Sequence, residues 1–237
     1  MSIKGFHLIA LLAIMLNYET VGQTIYLLPG QGSDKRIFSD LVFAKEYTVK
    51  HIEYPIPLKG ETMKEFASRL TNQIDTSDHF ILIGVSLGGM LATELSEMIS
   101  PDKVIIISSA KNRNELPGRY KFQQKLPVYK MVGPKLSKAG AKALQPLVEP
   151  DRNNNKDTFK AMLQSKDPIY LDRTIDMIME WNRTDNNSEI IHIHGDRDHT
   201  IPIQNVVYDT LIVDGSHMMT LTRAPQISSI INTILTY

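Results

Sequence analysis

Phe80-Ile81-Leu82-Ile83-Gly84-Val85-Ser86-Leu87-Gly88-Gly89-Met90 is the stretch on which the reading of this chain turns. It opens as an apolar strand over 80–83, passes through Gly-x-Ser-x-Gly, and runs into a helical pattern from Met90 to about Ile99. A serine between a strand and a helix sits on a turn so sharp that its neighbours must be small. Gly84 and Gly88, two before and two after Ser86, leave room for backbone that any Cβ would strike. The turn would hold the Ser86 hydroxyl at the carboxyl end of a sheet. The alternative is a small-residue turn that only tightens a strand–helix junction, and partners elsewhere in the chain decide between them.

Working outward, Thr24–Leu28 and Lys103–Ile107 are continuous rather than alternating apolar runs, the pattern of strands covered on both faces. Tyr47–Glu53 reads as a further strand, and Asp34 as the cap of a helix running to about Lys45. Thr62, with Glu65 three residues on, forms a capping box for an amphipathic helix to Ile74. Strands alternating with helices predict an α/β, doubly wound, mostly parallel sheet.

The rhythm breaks after Ala110. Residues 111–188 hold no convincing strand but carry helical patches near 120–132, 135–144, 156–164 and 169–181, punctuated by six prolines from Pro117 to Pro168. That is too long for a simple crossover. We read it as a helical cap inserted into a core made of 23–110 and 189–237, with Met131, Leu136, Leu144, Leu147, Phe159, Met162 and Trp181 as candidate pocket-lining or cap-packing residues. Strands resume at Glu189–His194 and Thr210–Val213, and a helix from about Pro225 to Leu235 closes the sheet.

Residues 1–22 have their own pattern: Lys4, an 11-residue apolar run from Phe6 to Leu16 that includes His7, then a polar stretch. The run is short for a membrane span and suits a signal peptide, so export is expected, periplasmic or secreted. A buried first strand in a cytoplasmic protein is the alternative. Lys plus Arg and Asp plus Glu balance at 26 each, so no net field favours nucleic acid or a membrane surface. The absence of cysteine removes disulfides, thiolate metal sites and cysteine nucleophiles together.

Serine needs a base to accept its proton, and the base needs an acid to fix its tautomer. Ser86 follows one strand, Asp196 and Asp198 follow a later one, and His217 follows the last. His217 stands after a Gly-Ser turn and before a helix, as a base would. His192 and His194 alternate on a strand and are expected to pack or hydrogen-bond inside, with His194 bracing the acid turn. His199 is expected to be exposed. A metal site at these histidines is not expected, because nothing resembles a His-Glu-x-x-His helix.

Four separated pieces now carry a resemblance: Leu28-Pro29-Gly30-Gln31-Gly32, Gly84–Gly89, His194-Gly195-Asp196-Arg197-Asp198-His199-Thr200-Ile201-Pro202, and Asp214-Gly215-Ser216-His217. The chain resembles an α/β-hydrolase of the capped, esterase-like kind. The resemblance implies Ser86 as nucleophile, His217 as base and Asp198 as acid, with Asp196 the alternative acid. It also implies an oxyanion hole from the backbone N–H groups of Leu87 and Gln31. Pro29 stands where many relatives carry histidine. The activity implied is hydrolysis of a small ester, without metal or cofactor. Acyl transfer, thioester or small-peptide hydrolysis, and ligand binding without turnover are the alternatives, and oligomeric state is not readable.

Overall fold

The structure is a computed structural model that describes residues 23–125, 139 and 155–236. The leader over 1–22, the helix expected near 135–144, and Met131, Leu136, Leu144 and Leu147 lie outside these residues. Six strands form one sheet: β1 Thr24–Leu28, β2 Thr48–His51, β3 Phe80–Val85, β4 Lys103–Ile107, β5 Ile191–Gly195 and β6 Thr210–Ile212. Their order is β2-β1-β3-β4-β5-β6, and every neighbouring pair is parallel.

The continuous apolar runs have the cause expected of them. Side chains alternate across a strand, and here both faces are covered. Tyr26, Leu28, Leu82 and Ile106 point into one core with helices α1 (Met63–Leu70) and α2 (Leu87–Ile99). Ile25, Leu27, Ile83 and Ile107 point into the other, against α7 (Ala224–Leu235) and the short α6 (Met219–Thr222). The capping box of α1 is present: Thr62 Oγ1 accepts the Glu65 N–H at 3.2 Å, and Glu65 Oε2 accepts the Thr62 N–H at 2.9 Å.

One expected helix is corrected. After β1 the chain makes only a 3₁₀ turn over Lys35–Phe38, capped by Asp34, where a helix to Lys45 was expected. The N–H groups of Val42 and Ala44 find their acceptors on α7 instead, at Ser228 Oγ (2.9 Å) and Asn232 Oδ1 (3.1 Å). Tertiary bonds satisfy the donors that a longer helix would have used.

Within 111–188 the described helices are α3 (Gly118–Lys125), α4 (Lys156–Ser165) and α5 (Pro168–Glu180). Asp167 caps α5 through the N–H groups of Ile169 and Tyr170, and Pro168 takes the first helical position, where no N–H is needed. Phe159 and Met162 of α4 are buried in the core on the α7 face, whereas Met177 and Trp181 join the core on the α2 face. Residues of 111–188 thus contribute to the cores on both sides of the sheet.

Candidate active site

The sheet order reverses between β1 and β3: β1 leads to β2 on one side, and β3 to β4 on the other. Crevices form where strand order reverses, at the carboxyl ends of the strands. The loops after β1 and β3 both open there. Leu28 pairs with Gly84, and Val85 with Ile107, so these ends are level.

Ser86 follows β3 with φ 53° and ψ −119°, a left-handed backbone that costs a non-glycine residue on the order of 1–3 kcal/mol. Its surroundings hold it there. The Ser86 N–H donates to Ile107 O at 3.0 Å, and Ser86 O accepts from the Gly89 N–H (2.9 Å) and Ser109 Oγ (2.7 Å). A Cβ on Gly84 would fall 2.2 Å from Gly88 O, and one on Gly88 would fall 2.0 Å from Leu28 O. Those contacts are backbone against backbone, so only glycine fits.

Asp198 and His217 come from the loops after β5 and β6. These loops run against each other so closely that a Cβ on Gly195 would lie 2.2 Å from Gly215 O. The Arg197 N–H donates to Gly215 O at 3.0 Å. Asp198, 3% exposed, accepts the N–H groups of Thr200 and Ile201 on Oδ1, each at 2.8 Å. Its other oxygen, Oδ2, lies 2.8 Å from His217 Nδ1, and His217 Nε2 lies 2.9 Å from Ser86 Oγ. The structure therefore brings Ser86, His217 and Asp198 into one line of hydrogen bonds. Asp196 stands apart; it is exposed, and its Oδ1 accepts the Asp214 N–H at 2.7 Å.

Burial pushes the Asp198 carboxyl up, but the charge and hydrogen bond of His217, the charge of His194 and the Ile201 N–H outweigh it. The net effect holds it below the usual carboxylate value. His192 and His194 are fully buried on β5, and His199 is exposed.

Leu87 opens α2, so its N–H has no carbonyl one turn earlier and faces the end of the helix. Gly30 is close enough to Ser86 that a Cβ on it would meet the Ser86 Cβ at 3.3 Å, which sets the following residue, Gln31, beside the Ser86 turn. The Gln31 side chain has a second engagement that the sequence did not disclose. Its Nε2 donates to Leu171 O and Thr174 Oγ1 of α5, each at 3.0 Å. Tyr54 steadies the same loop by donating to Pro29 O at 3.0 Å.

Of the candidate pocket residues, Phe159, Met162 and Trp181 are core side chains, and the Trp181 indole N–H is bonded to Glu94 at 2.7 Å. A groove of about 440 Å³ beside Trp181 is lined by Thr62, Met63, Glu94, Met177 and Arg183, and by none of Ser86, Asp198 or His217. Among the described residues, no helix is long and apolar enough to cross a membrane.

Comparison with solved structures places this architecture among known ones. The enol-lactonase from Burkholderia xenovorans LB400 superposes with a TM-score of 0.71 at 14% identity, over 91% of this chain and 92% of that one. MenH from S. aureus gives 0.69 at 15% identity, over 91% and 94%. A thermophilic esterase from Thermogutta terrifontis, with malate bound, gives 0.66 at 14% identity, over 91% and 90%. At these identities what is shared is the fold, that of the α/β-hydrolases. No curated protein matches the sequence. Residues 39–209, a span that includes Ser86 and Asp198, match a described family, and the chain belongs to it: the uncharacterised protein family UPF0227.

Proposed function

We propose that this chain is a serine hydrolase that cleaves a small carboxylic ester through an acyl-enzyme. The observation that carries the reading is the position of His217, with Nε2 2.9 Å from Ser86 Oγ and Nδ1 2.8 Å from Asp198 Oδ2. With Nδ1–H held by the carboxylate, Nε2 is left as the acceptor, the tautomer a base requires. Ser86 Oγ attacks the acyl carbon as its proton passes to Nε2. The N–H groups of Leu87 and Gln31 receive the oxyanion, and His217 returns the proton to the leaving alcohol. Water then repeats the sequence against the acyl-enzyme and frees the acid.

Helices α4 and α5 act in this reading as the cap, held to the oxyanion loop through Gln31. Two neighbours in fold are described as an enol-lactonase and an esterase, which supports an ester or lactone carbonyl as the reacting group.

A fluorophosphonate probe tests the reading directly. Folded wild-type protein should be labelled and should hydrolyse a short p-nitrophenyl ester, and Ser86→Ala should do neither. Folded protein that takes no label would overturn the hydrolase reading and leave a binding protein in its place.

A further inference from the structure

His192 and His194 occupy adjacent inward positions on β5, both fully buried, with their rings edge to face at 4.9 Å. His192 Nδ1 lies 3.1 Å from Val207 O, and His194 Nε2 lies 2.9 Å from Ile201 O. The inner nitrogens, His192 Nε2 and His194 Nδ1, are 3.0 Å apart. A carbonyl oxygen only accepts, so each outer nitrogen must carry a proton. Two ring nitrogens at hydrogen-bond distance also need one proton between them, because two facing lone pairs repel and leave both buried acceptors unsatisfied. Three contacts require three N–H protons. Two neutral imidazoles supply two.

The charges around the couple favour the third. Asp198 Oδ2 is 3.7 Å from His194 Nε2. Asp209 Oδ2 accepts the main-chain N–H of His192 at 2.7 Å, and Glu115 Oε1 accepts the main-chain N–H of Val207 at 3.1 Å. Among the described residues, the cations facing this cluster are Lys111, 3.5 Å from Asp209, and the exposed Arg119, on the carbonyls of His199 and Thr200. Tyr120 and His217 are the other described titratable groups near Asp198. Among the described residues three carboxylates thus meet two cations, and one more positive charge balances them. Burial works the other way, pushing the proton affinity of both rings below the usual histidine range, His192 furthest. The nearby carboxylate and the count of acceptors oppose it.

We propose that the His192–His194 couple holds one proton beyond two neutral rings, shared between His192 Nε2 and His194 Nδ1, and that His194 is thereby a positioning residue for Asp198. The second half rests on Asp198 being the acid of the hydrolytic triad. The Asp198 carboxylate is buried, and the couple supplies it a counter-charge without donating to the oxygen that His217 needs. His194 also grips Ile201 O, while the Ile201 N–H donates to Asp198 Oδ1, so one residue of the acid turn is held from both sides. A cation there opposes the second cation that forms on His217 when it takes the serine proton, so it extends activity toward lower pH.

The proton count is read on the wild-type protein by two-bond ¹H–¹⁵N correlation of the imidazole nitrogens near pH 7. Three proton-bearing nitrogens across His192 and His194 are expected; two would overturn the shared proton. This readout does not depend on turnover, so a protein that cleaves no ester still decides it. For the link to Asp198, the pH profile of kcat/KM is measured for His192→Asn and His194→Gln. Each can keep its bond to a carbonyl but not the N–H···N bond. The acid limb should move up by about one pH unit in both, as expected for removal of a nearby positive charge. A merely structural role would lower the plateau and leave the limb in place, and that result in both variants would overturn the positioning role.

Discussion

Gln31 Nε2 reaches Thr174 Oγ1 at 3.0 Å, joining the loop beside Ser86 to helix α5 of the insertion across 143 positions of sequence. The same nitrogen donates to Leu171 O. One residue therefore presents backbone next to the Ser86 turn and side chain to helix α5, so the placements of α5 and of the loop after β1 are linked.

Gln31→Ala removes that tether and keeps the backbone N–H. Thr174 Oγ1 retains its own acceptors, Tyr170 O at 2.8 Å and Leu171 O at 3.0 Å, so the stability cost should be near a single hydrogen bond, about 1 kcal/mol. Activity should fall further, with kcat/KM down by roughly tenfold, because small displacements of catalytic groups are costly. Thermal unfolding and ester kinetics on one preparation check both. Unchanged kinetics would mean that the tether has no part in positioning.

Gly84→Ala and Gly88→Ala should fail to fold, because the added Cβ meets backbone atoms at 2.2 and 2.0 Å and nothing flexible can yield. Gly32→Ala is the control. Its Cβ would meet only Leu163 Cδ1, at an ordinary 3.6 Å. Soluble yield and far-UV circular dichroism of the three variants should separate them, and a well-folded Gly84→Ala would refute the close approach.

The sequence disclosed this turn because steric need leaves a residue-level mark: only glycine tolerates such contacts. It disclosed β1, β3 and β4 for a similar reason, since burial on both faces writes an unbroken apolar run. It did not disclose the irregular segment after Phe38, where the N–H groups of Val42 and Ala44 are satisfied by Ser228 and Asn232, far along the chain. It also could not tell core from pocket in the insertion. Phe159, Met162 and Trp181 have the same apolar spacing in either role, and only the packing partners decide. The two hydrogen bonds from the Gln31 amide to α5 depend on a meeting of distant segments that no local pattern encodes.

Asp198→Asn should cost far more activity than Asp196→Asn. An asparagine at 198 presents the wrong group to His217 Nδ1, and loss of the acid in such an arrangement typically costs about 10⁴ in kcat. Asp196 accepts only the Asp214 N–H on an exposed turn, so Asp196→Asn should stay within about threefold of wild type, the scale of a surface substitution near ±0.5 kcal/mol. Steady-state kinetics at saturating ester decides it; the reverse order would exchange the two roles.

Asp198 also sets a pH dependence of stability. Its folded-state carboxyl lies below the ordinary value because of His217, His194 and the Ile201 N–H, against the opposing effect of burial. A depressed carboxyl contributes stability that is fully present above the unfolded value of about 3.9 and lost as pH falls through the folded value. The stability advantage of wild type over Asp198→Asn should shrink as pH falls below about 4. Urea midpoints across that range measure it, and a gap unchanged at pH 3 would contradict the depression.

Trp181 gives the last test, of how the end of α5 is held. Its indole N–H donates to Glu94 Oε1 at 2.7 Å, and Arg183 holds the same carboxylate through Nε at 3.0 Å and Nη2 at 3.2 Å. Glu94 lies on α2, eight residues after Ser86, so the far end of α5 is fastened to the helix that begins just after Ser86. Trp181→Phe keeps most of the buried ring but leaves a nearly buried carboxylate one donor short, at a cost of about 1–3 kcal/mol. Arg183→Ala should cost at least as much, because it removes the counter-charge as well. The double variant should cost less than the sum of the two, since both act on one carboxylate. Chemical denaturation of the four proteins gives the coupling directly. Strictly additive losses would show that Trp181 contributes only packing, and that α5 is held to α2 by apolar contact alone.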